Sequence, residues 1–545
     1  MTRPLPRPGL CVIAILALIP ASAVAEGLRL THVPNAAPSI PGMAMPNSLS
    51  PELFQIVVAQ GFTPLENPTA LLTTYGYAAD GPMVPPANAI PGLDNGEASK
   101  TEPDKNTYLV LANQRGPDPA YDYGTHFLFQ GHESGPRATD GSPQGYLTRI
   151  NLDADAAHRI TLMADEVSDG RPFPFIDGST FDPFADRLLL TGEGRGGGLW
   201  QATLDFPSVV DNLTGIVGIG SYEGVQVDPD GTVWLVEDAG GAYDQTTRGL
   251  QPNSFVYRLT PKDKTDLTRG GKLEVLQVLD TRGRPITFQD GFLIADILSR
   301  GMKELHTYGL KLKTRWVLIH DTDKDGMAPF DANAAAKAAG GTPLKRPENG
   351  VFRPGSGFTE FIIASTGDNN AKTGAGSRYG GFGAIHKLTQ ATPSASEGEI
   401  MLVYRGDTEH GAFDNLSFWS ADEVLVVEDR GEKLHEQANA LDSGWVIDLN
   451  ADYANPDTRP VRFLAGGRDT AATIDAGLLA LPETGFQNDG DNEITGIHVS
   501  DGDPSAAGLL GARIPTPFEN GWRVFWTQQH GENTTFEILD KDILP

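Results

Sequence analysis

Residues 223–238 read EGVQVDPDGTVWLVED, and residues 414–429 read DNLSFWSADEVLVVED. The two segments align without a gap: each begins with an acidic residue, continues as a strand, a turn and a second strand, and ends in a Glu-Asp pair. Short apolar runs bounded by turn residues predict antiparallel strands. A recurring pair of strands predicts a chain built from repeated units.

Further copies of this pattern occur along the chain. The segment 177–194 (DGSTFDPFADRLLLTGEG) is a third copy, and EITGIHVSDG (493–502) begins a fourth. THFLFQGHE (125–133) and TEFIIASTGD (359–368) are partial copies. Sheets of this kind bury both faces when they are arranged radially, so we predict an all-β, six-bladed β-propeller with a small helical insertion near residues 326–345. A β-sandwich or two tandem β domains are the alternatives.

Acidic residues recur at matched positions of these units. Equivalent positions in a propeller lie on a ring around the central channel, so matched carboxylates should converge there. One predicted set begins the units, and a second set follows their second strands. The first set is Asp177, Glu223, Asp414 and Glu493, and the second is Glu193, Glu237, Asp238, Asp368, Glu428 and Asp429.

Converging carboxylates repel one another unless cations lie among them. Oxygen ligands without thiols favour Ca²⁺ or Mg²⁺ over zinc or copper. The sequence therefore predicts a metal site at the channel mouth. The alternative for each position is ordinary turn chemistry, in which Asp and Glu beside Gly cap a turn.

Length, charge and the N-terminus limit the setting in which the protein works. The chain has 545 residues and a formal net charge of −29, which argues against nucleic acid as a partner. Residues 1–25 combine a basic start, a short apolar run and small residues before Ala25, the pattern of a secretory signal peptide. The one cysteine, Cys11, lies within it, so the exported chain has no thiolate ligand. We expect a periplasmic or extracellular monomer that is not held at a membrane after cleavage of the signal peptide.

Several segments together resemble the PhoX-type bacterial alkaline phosphatases, of which this chain would be a divergent member. They include KRPENGVF, STGDNN, GGFGAIHKL, FDNLSFWS, VEDRGE and EITGIHVSDG, and the likeness spans roughly residues 120–540. The resemblance implies a six-bladed propeller with calcium and iron at the channel mouth, acting on phosphate monoesters without a serine nucleophile. It divides the chain into the signal peptide, a segment 26–120 with an N-terminal extension and the first propeller strands, and a PhoX-like propeller over 121–545.

The resemblance also implies roles for individual residues. The family's Arg-Pro-Glu motif falls on Arg346 and Glu348, which would be catalytic. Its acidic metal ligands fall on Glu193, Glu223, Asp414 and Glu493. Asp177 stands where the family has an iron-binding cysteine, and a carboxylate cannot form a thiolate–iron bond. Calcium is therefore the expected cofactor, and iron is left open.

The predicted function is hydrolysis of a small phosphorylated substrate at a carboxylate-rich metal cluster. A second hypothesis is a calcium propeller that hydrolyses lactones or phytate, with Asn370 and Asn415 as further ligands. A third is a calcium-stabilised propeller that binds a partner without catalysis, because a fold does not imply a function.

Overall fold

The computed structural model describes residues 1, 28–34, 47–79, 83–84, 96–139, 141–194, 196–369, 372–467, 493–529 and 533–543. The predicted signal peptide lies outside these residues apart from Met1, and so does Cys11. The described chain is mostly β, and its antiparallel sheets form a propeller-like array. None of the helices in this part of the chain combines the length and the apolar character needed to cross a membrane.

The N-terminal strands join sheets that are otherwise formed by the C-terminal part of the chain. They are β1 (Ser48–Leu49) and β2 (Leu53–Ala59). A two-stranded hairpin follows, formed by β3 (Met83–Val84) and β4 (Gly96–Glu97). The first complete sheet is β5 (Pro103–Val110), β6 (His126–His132), β7 (Leu147–Asn151) and β8 (Ile160–Ala164). The predicted boundary at residue 120 falls between β5 and β6, which pair with each other.

The second sheet contains four strands in chain order. They are β9 (Ser179–Asp182), β10 (Arg187–Gly192), β11 (Gly198–Ala202) and β12 (Val210–Asn212). The third sheet begins with β13 (Tyr222–Val227), β14 (Val233–Glu237), β17 (Val256–Pro261), β18 (Gly271–Val278) and β19 (Lys311–Asp321). A hairpin of β15 (Tyr243–Asp244) and β16 (Gly249–Leu250) lies between β14 and β17.

The third sheet continues through β20 (Pro347–Phe352), β21 (Glu360–Ser365), β22 (Ala384–Gln390) and β23 (Glu397–Arg405). The fourth sheet contains β24 (Phe413–Phe418), β25 (Glu423–Glu428), β26 (Ser443–Asp448) and β27 (Val461–Ala465), together with β1. The fifth sheet contains β28 (Ile494–Ser500), β29 (Arg523–Gln528) and β30 (Thr534–Asp540), together with β2. Pairing of β2 with β30 joins the start of the chain to its end.

The prediction of six separate blades is only partly confirmed. Four sheets of four or five strands are separate blades, whereas β13–β14–β17–β18 and β20–β21–β22–β23 belong to one nine-stranded sheet. The long strand β19 joins these two groups because it pairs with β18 on one edge and with β23 on the other. It thereby covers two strand edges that would otherwise be exposed. The inner strands β13 and β20 also lie side by side, so the sheet is nearly a closed barrel.

Aromatic side chains fill the interior of the nine-stranded sheet. The ring of Trp234 on β14 lies 5.2 Å from Trp316 on β19 and 5.1 Å from Phe352 on β20. Trp234 is almost fully buried. Burial of such large rings accounts for much of the stability of a core, and here it holds both strand groups together.

Short helices occupy the connections between strands. They are α1 (Thr214–Val217), α2 (Leu293–Ile297), α3 (Arg300–Leu305), α4 (Thr322–Asp325), α5 (Ala332–Ala338) and α6 (Gly431–Ala438). Helix α5 lies inside the predicted insertion 326–345. The Asp331 side chain caps it by accepting a hydrogen bond from the Ala334 backbone N–H at 2.8 Å, and its alanine-rich sequence favours a helix.

Candidate metal centre

The four sheets of four or five strands and the two halves of the nine-stranded sheet make six strand groups, which we number in chain order. One backbone hydrogen bond defines equivalent positions in five of these groups. The backbone N–H that follows the second strand donates to a carbonyl near the start of the first strand. The N···O distances are 2.7–3.0 Å, and the pairs, with the donor first, are Glu133 to Glu102, Asp238 to Ser221, Thr366 to Arg346, Asp429 to Ala412, and Gln529 to Glu493. In each group we call the residue two positions after the acceptor the first-strand position. We call the donor residue the second-strand position.

The first-strand positions are Asp104, Glu223, Glu348, Asp414 and Thr495, and Asp177 precedes β9 in the remaining group. In four groups this residue lies inside a shift of strand register, between residues 103 and 106, 222 and 225, 347 and 350, and 413 and 416. A β-bulge bends its strand and redirects a side chain. The same local distortion therefore accompanies the acid in each of these groups.

Glycine after the acid allows the inner strands to approach closely. A Cβ atom on Gly178 would lie 1.8 Å from the carbonyl oxygen of Glu223, and one on Gly224 would lie 2.8 Å from that of Glu348. Neither position has room for a side chain. The Asp-Gly and Glu-Gly pairs of the sequence thus bring carboxylates of neighbouring groups together.

Seven carboxylates form three overlapping triads in which the ligand oxygens lie within 4.8 Å of one another. Each triad combines the first-strand and second-strand positions of one group with the first-strand position of the next. The triads are Asp104, Glu133 and Asp177; Asp177, Glu193 and Glu223; and Glu223, Asp238 and Glu348. Asp177 and Glu223 each belong to two triads, so both could bridge neighbouring cations.

Burial and mutual repulsion make the fully ionised state of these residues costly. Burial raises the pKa of Asp177, Glu193, Glu223 and Glu348 well above the usual range, and neighbouring carboxylates raise it further. Burial and the nearby Glu102 raise the pKa of Glu133 to about 8. Bound cations would reverse this effect because they favour the charged form.

Three buried carboxylates, two of them in the triads, each leave one oxygen that could bind a metal ion. Asp177 Oδ1, Glu193 Oε1 and Asp414 Oδ2 are buried without a hydrogen-bond partner within the described residues. A buried carboxylate oxygen without a partner carries a large desolvation cost. The candidate ligand atoms are all carboxylate oxygens, which suit a hard cation such as Ca²⁺.

Two basic side chains lie among these acids. Arg346 Nε donates to both carboxylate oxygens of Asp238, at 2.9 and 2.8 Å, and its Nη2 lies 3.4 Å from Glu348 Oε1. The Arg346 backbone has φ 47°, an unusual value for a residue with a side chain. Lys105, beside Asp104, is buried and donates from Nζ to Asn349 Oδ1. Burial lowers the pKa of Lys105, and nearby carboxylates oppose that shift.

Other predicted ligands lie at the edge of the triads. Asp414 is buried, and its Oδ1 accepts a hydrogen bond from Asn415 Nδ2. Asp429 accepts a hydrogen bond from Asn369 Nδ2. Glu493 interacts electrostatically with Asp429 and Glu133, although Thr495 rather than Glu493 occupies the position equivalent to Glu223. Metal binding by these three acids stays a prediction.

The structure does not bring Glu237 or Glu428 into the triads. Glu237 accepts hydrogen bonds from the Phe255 backbone N–H and the Tyr257 hydroxyl, at 3.1 and 2.8 Å. Glu428 accepts from the backbone N–H groups of Gly411 and Ser443, both at 2.9 Å, and from the guanidinium of Arg430. Because side chains alternate along a strand, the residue before each second-strand position points to the opposite face.

Asp368 and the proposed amide ligands also have other partners. Asp368 lies two residues beyond Thr366, which holds the second-strand position, and its Oδ1 accepts from Lys345 Nζ at 2.7 Å. Asn415 donates to Asp414 and accepts from the Gly496 backbone N–H at 3.2 Å, so both ends of its amide are engaged. Asn370 lies outside the described residues.

Sequence reasoning missed Asp104 and Glu133 as ligands, although Glu133 is the last residue of the partial copy 125–133. It also missed Lys105 and Asn349. A signal for Asp104 exists, because DKNTY (104–108) has the same order of acid and strand residues as DGSTF (177–181). The absence of glycine after Asp104 hides this similarity.

Comparison with solved structures finds distant similarities of fold. Pseudomonas fluorescens PhoX, in complex with vanadate, a transition state analogue, has a TM-score of 0.53 and 12% identity, over 94% of this chain and 98% of that chain. The Podospora anserina α-L-arabinofuranosidase PaAbf62A, in complex with cellotriose, has a TM-score of 0.29 and 8% identity, over 89% and 98%. No protein-family model matches the chain, and no curated protein matches it significantly. The likeness to PhoX shows a distant relationship of fold alone.

Proposed function

We propose that this chain is an exported, calcium-dependent phosphatase. Its propeller would have six blades if each four-stranded group of the nine-stranded sheet is counted as one blade. The observation that carries the proposal is the set of three overlapping carboxylate triads beside the guanidinium of Arg346. An anionic substrate would be repelled by this many carboxylates alone. A site that combines cations with an arginine suits a phosphate ester.

The seven triad carboxylates would hold the cations. When bound, divalent cations polarise phosphoryl oxygens and lower the pKa of water at the site. No residue of the triads offers a thiolate, so the donor set supports calcium and gives no specific support to iron.

Arg346 would position the phosphate. Its Nε and Nη2 contact Asp238, and no hydrogen bond from Nη1 to the described protein residues is found. The side chain is 20% exposed, so a substrate can reach it. Glu348 would help to hold the guanidinium in place, because its Oε1 lies 3.4 Å from Arg346 Nη2 and accepts a hydrogen bond from Thr366 Oγ1.

The first test is hydrolysis of p-nitrophenyl phosphate by the purified protein. We expect turnover with Ca²⁺, loss of turnover after chelation, and recovery when Ca²⁺ is restored. Absence of turnover with Ca²⁺ alone and with Ca²⁺ plus Fe³⁺ would overturn the phosphatase proposal. Parallel assays with phytate and with lactones test the other hydrolytic function.

The second test compares two arginines. Arg346→Ala should lower kcat/KM about ten- to a hundredfold without changing metal content, because a charge-assisted contact contributes about 1.5–3 kcal/mol. Arg353→Ala is the matched control, since Arg353 is similarly exposed at 18% but pairs with Glu360 and Asp422 outside the triads. Equal kinetics in the two variants would remove Arg346 from the site.

A further inference from the structure

An apolar cavity beside the sixth strand group has no part in the proposed reaction. Its volume is about 400 Å³, which is in the range of pockets that bind small molecules. It is lined by residues of β2, β30 and the loop before β29, and by residues of β5 and β6 in the first group. Arg523 lines the cavity at the start of β29, whereas the second-strand position Gln529 directly follows the end of this six-residue strand. The cavity therefore lies about 20 Å along the strand from Gln529, away from the triads.

Aromatic and aliphatic side chains form most of the cavity wall. Phe518 and Trp522 line the cavity and are partly buried, because they also pack against the apolar core of the fifth and sixth groups. The Phe518 ring makes an edge contact with Trp419, with ring centroids 5.5 Å apart. The other large apolar residues at the rim are Phe54, Leu539 and Ile543. Ile543 is 61% exposed, so contact with an apolar ligand would remove its side chain from water.

The loop that carries Phe518 and Trp522 has an unusual backbone. φ is 71° at Phe518 and 52° at Asn520, so both residues adopt the left-handed conformation, which is rare for a bulky residue. The Phe518 backbone N–H donates to the Trp522 carbonyl at 3.2 Å and so closes the loop. Strained residues of this kind persist where surrounding contacts hold them, and they are common at ligand-binding sites.

The charged groups of the cavity already have partners within the protein. Arg523 Nε and Nη2 donate to the two carboxylate oxygens of Glu537, at 2.7 and 2.6 Å. Asp540 accepts a backbone hydrogen bond at 2.8 Å, and His126 Nδ1 lies 2.9 Å from Asp153. An anionic ligand would lie beside two carboxylates, and a cationic ligand would lie beside a guanidinium. Burial of either charge would therefore lack compensation, and the cavity suits an uncharged ligand.

We propose that this cavity is a binding site for a small uncharged molecule that contains an aromatic ring. Aromatic rings pack well against phenylalanine and tryptophan side chains, in offset or edge-to-face arrangements. The site goes beyond the proposed function, because it involves neither the triads nor Arg346.

Two fluorescent probes with the same ring skeleton test the site and its charge preference. Phenylnaphthylamine is uncharged, whereas anilinonaphthalene sulfonate carries a sulfonate. Each would be titrated into the purified full-length exported chain, in Ca²⁺ and in EDTA. We expect one equivalent of phenylnaphthylamine to bind per chain, with the same affinity in Ca²⁺ and in EDTA. The sulfonate probe should bind at least about tenfold more weakly, because its charge would be buried beside Glu537.

Two variants locate the bound probe. Ile543→Ala shortens an exposed side chain of the wall, so the fold should be preserved, and Leu539→Trp fills part of the cavity from its rim. Each should weaken phenylnaphthylamine binding by about tenfold. Phe292→Ala is the matched control, since Phe292 is an apolar residue that is 66% exposed outside the cavity. This variant should bind the probe as wild type does.

Binding of phenylnaphthylamine without saturation, or with equal affinity in wild type, Ile543→Ala and Leu539→Trp, would overturn the inference. Equal affinities of the two probes would overturn the preference for an uncharged ligand. Because the titration is also made in EDTA, its outcome is independent of the metal site and of any phosphatase activity.

Discussion

The first three strand groups and the last three, which we call the first and second halves of the ring of strand groups, use the same backbone positions in different ways. In the first three strand groups, both the first-strand and second-strand positions are acidic, and together with Glu348 of the fourth group they form the triads. In the other half, Thr366, Thr495 and Gln529 replace acids at three of the six positions. Thr366 donates to Glu348, Thr495 Oγ1 donates to Asp104 Oδ1 at 2.5 Å, and Gln529 Nε2 donates to Asp104 Oδ2 at 3.1 Å.

The difference between the halves shows two ways in which a buried carboxylate can be stabilised. A buried carboxylate needs a cation or hydrogen-bond donors. The second half supplies neutral donors, and Lys345 pairs with Asp368. Among the described residues, the first half leaves oxygens of Asp177 and Glu193 without partners, and the second half leaves one oxygen of Asp414 without a partner. The same backbone positions therefore carry clustered carboxylates that could hold a metal ion in one half, and mainly hydrogen-bonding contacts in the other.

Chelation should have the largest effect, because it acts on the whole acidic half. A site saturated at about a thousandfold over its dissociation constant stabilises the folded state by about 4 kcal/mol. Removing several cations should lower the Tm by more than about 5 °C. The measurement is calorimetry in Ca²⁺ and in EDTA. Equal melting curves would mean that the acidic half holds no cation.

Asp368→Asn tests the other half. Lys345 and Asp368 are almost fully buried, at 1% and 0% side-chain exposure, so the variant leaves an ammonium without its carboxylate. Loss of one partner of such a pair costs about 3–5 kcal/mol. Urea denaturation should show this loss, while elemental analysis shows unchanged metal content. The double variant Lys345→Met, Asp368→Leu should recover most of the stability, and a drop in metal content would contradict the division of the ring.

Glu223→Gln and Glu237→Gln compare acids of two adjacent strands in one group. Glu223 belongs to two triads, so its variant should bind fewer Ca²⁺ equivalents. Glu237 lies among hydrogen-bond donors on the opposite face, so its variant should keep the metal and lose about 1–3 kcal/mol of stability. The same metal loss in both variants would show that the triads do not describe the binding site.

Asp182→Asn should have the smallest effect, and one that depends on pH rather than on metal. Asp182 lies at the far end of β9 from Asp177, its Oδ2 has no hydrogen-bond partner in the described chain, and burial raises its pKa from 3.8 to about 6. A raised carboxyl pKa gives stability that is complete below pH 3.8 and is lost as the pH rises through 6.

The asparagine variant should therefore lack this decline, which amounts to at most about 3 kcal/mol. Urea denaturation at pH 4 and pH 7, in Ca²⁺ and in EDTA, gives the measurement. A pH dependence identical to that of wild type, or a change in bound Ca²⁺, would show that Asp182 is not an isolated buried acid.

The repeat in the sequence determined the architecture and much of the site. The alignment of 223–238 with 414–429 predicted paired strands in repeated units, because strand pattern and turn residues are local properties. Asp177, Glu193, Glu223 and Asp238 were predicted as ligands from the same alignment, and all four belong to the triads. Glu348 joined them through the resemblance to a known family.

Only the tertiary structure decided which of the matched acids meet. Asp238 and Asp429 have the same local sequence, yet Asp238 completes a triad and Asp429 accepts from Asn369, because a carboxylate's neighbours come from strands far away in the chain. The same reason hid Lys105, which reaches Asn349 across 244 residues. The fusion of two strand groups through β19 depends on edge pairing between distant strands, which local patterns do not specify.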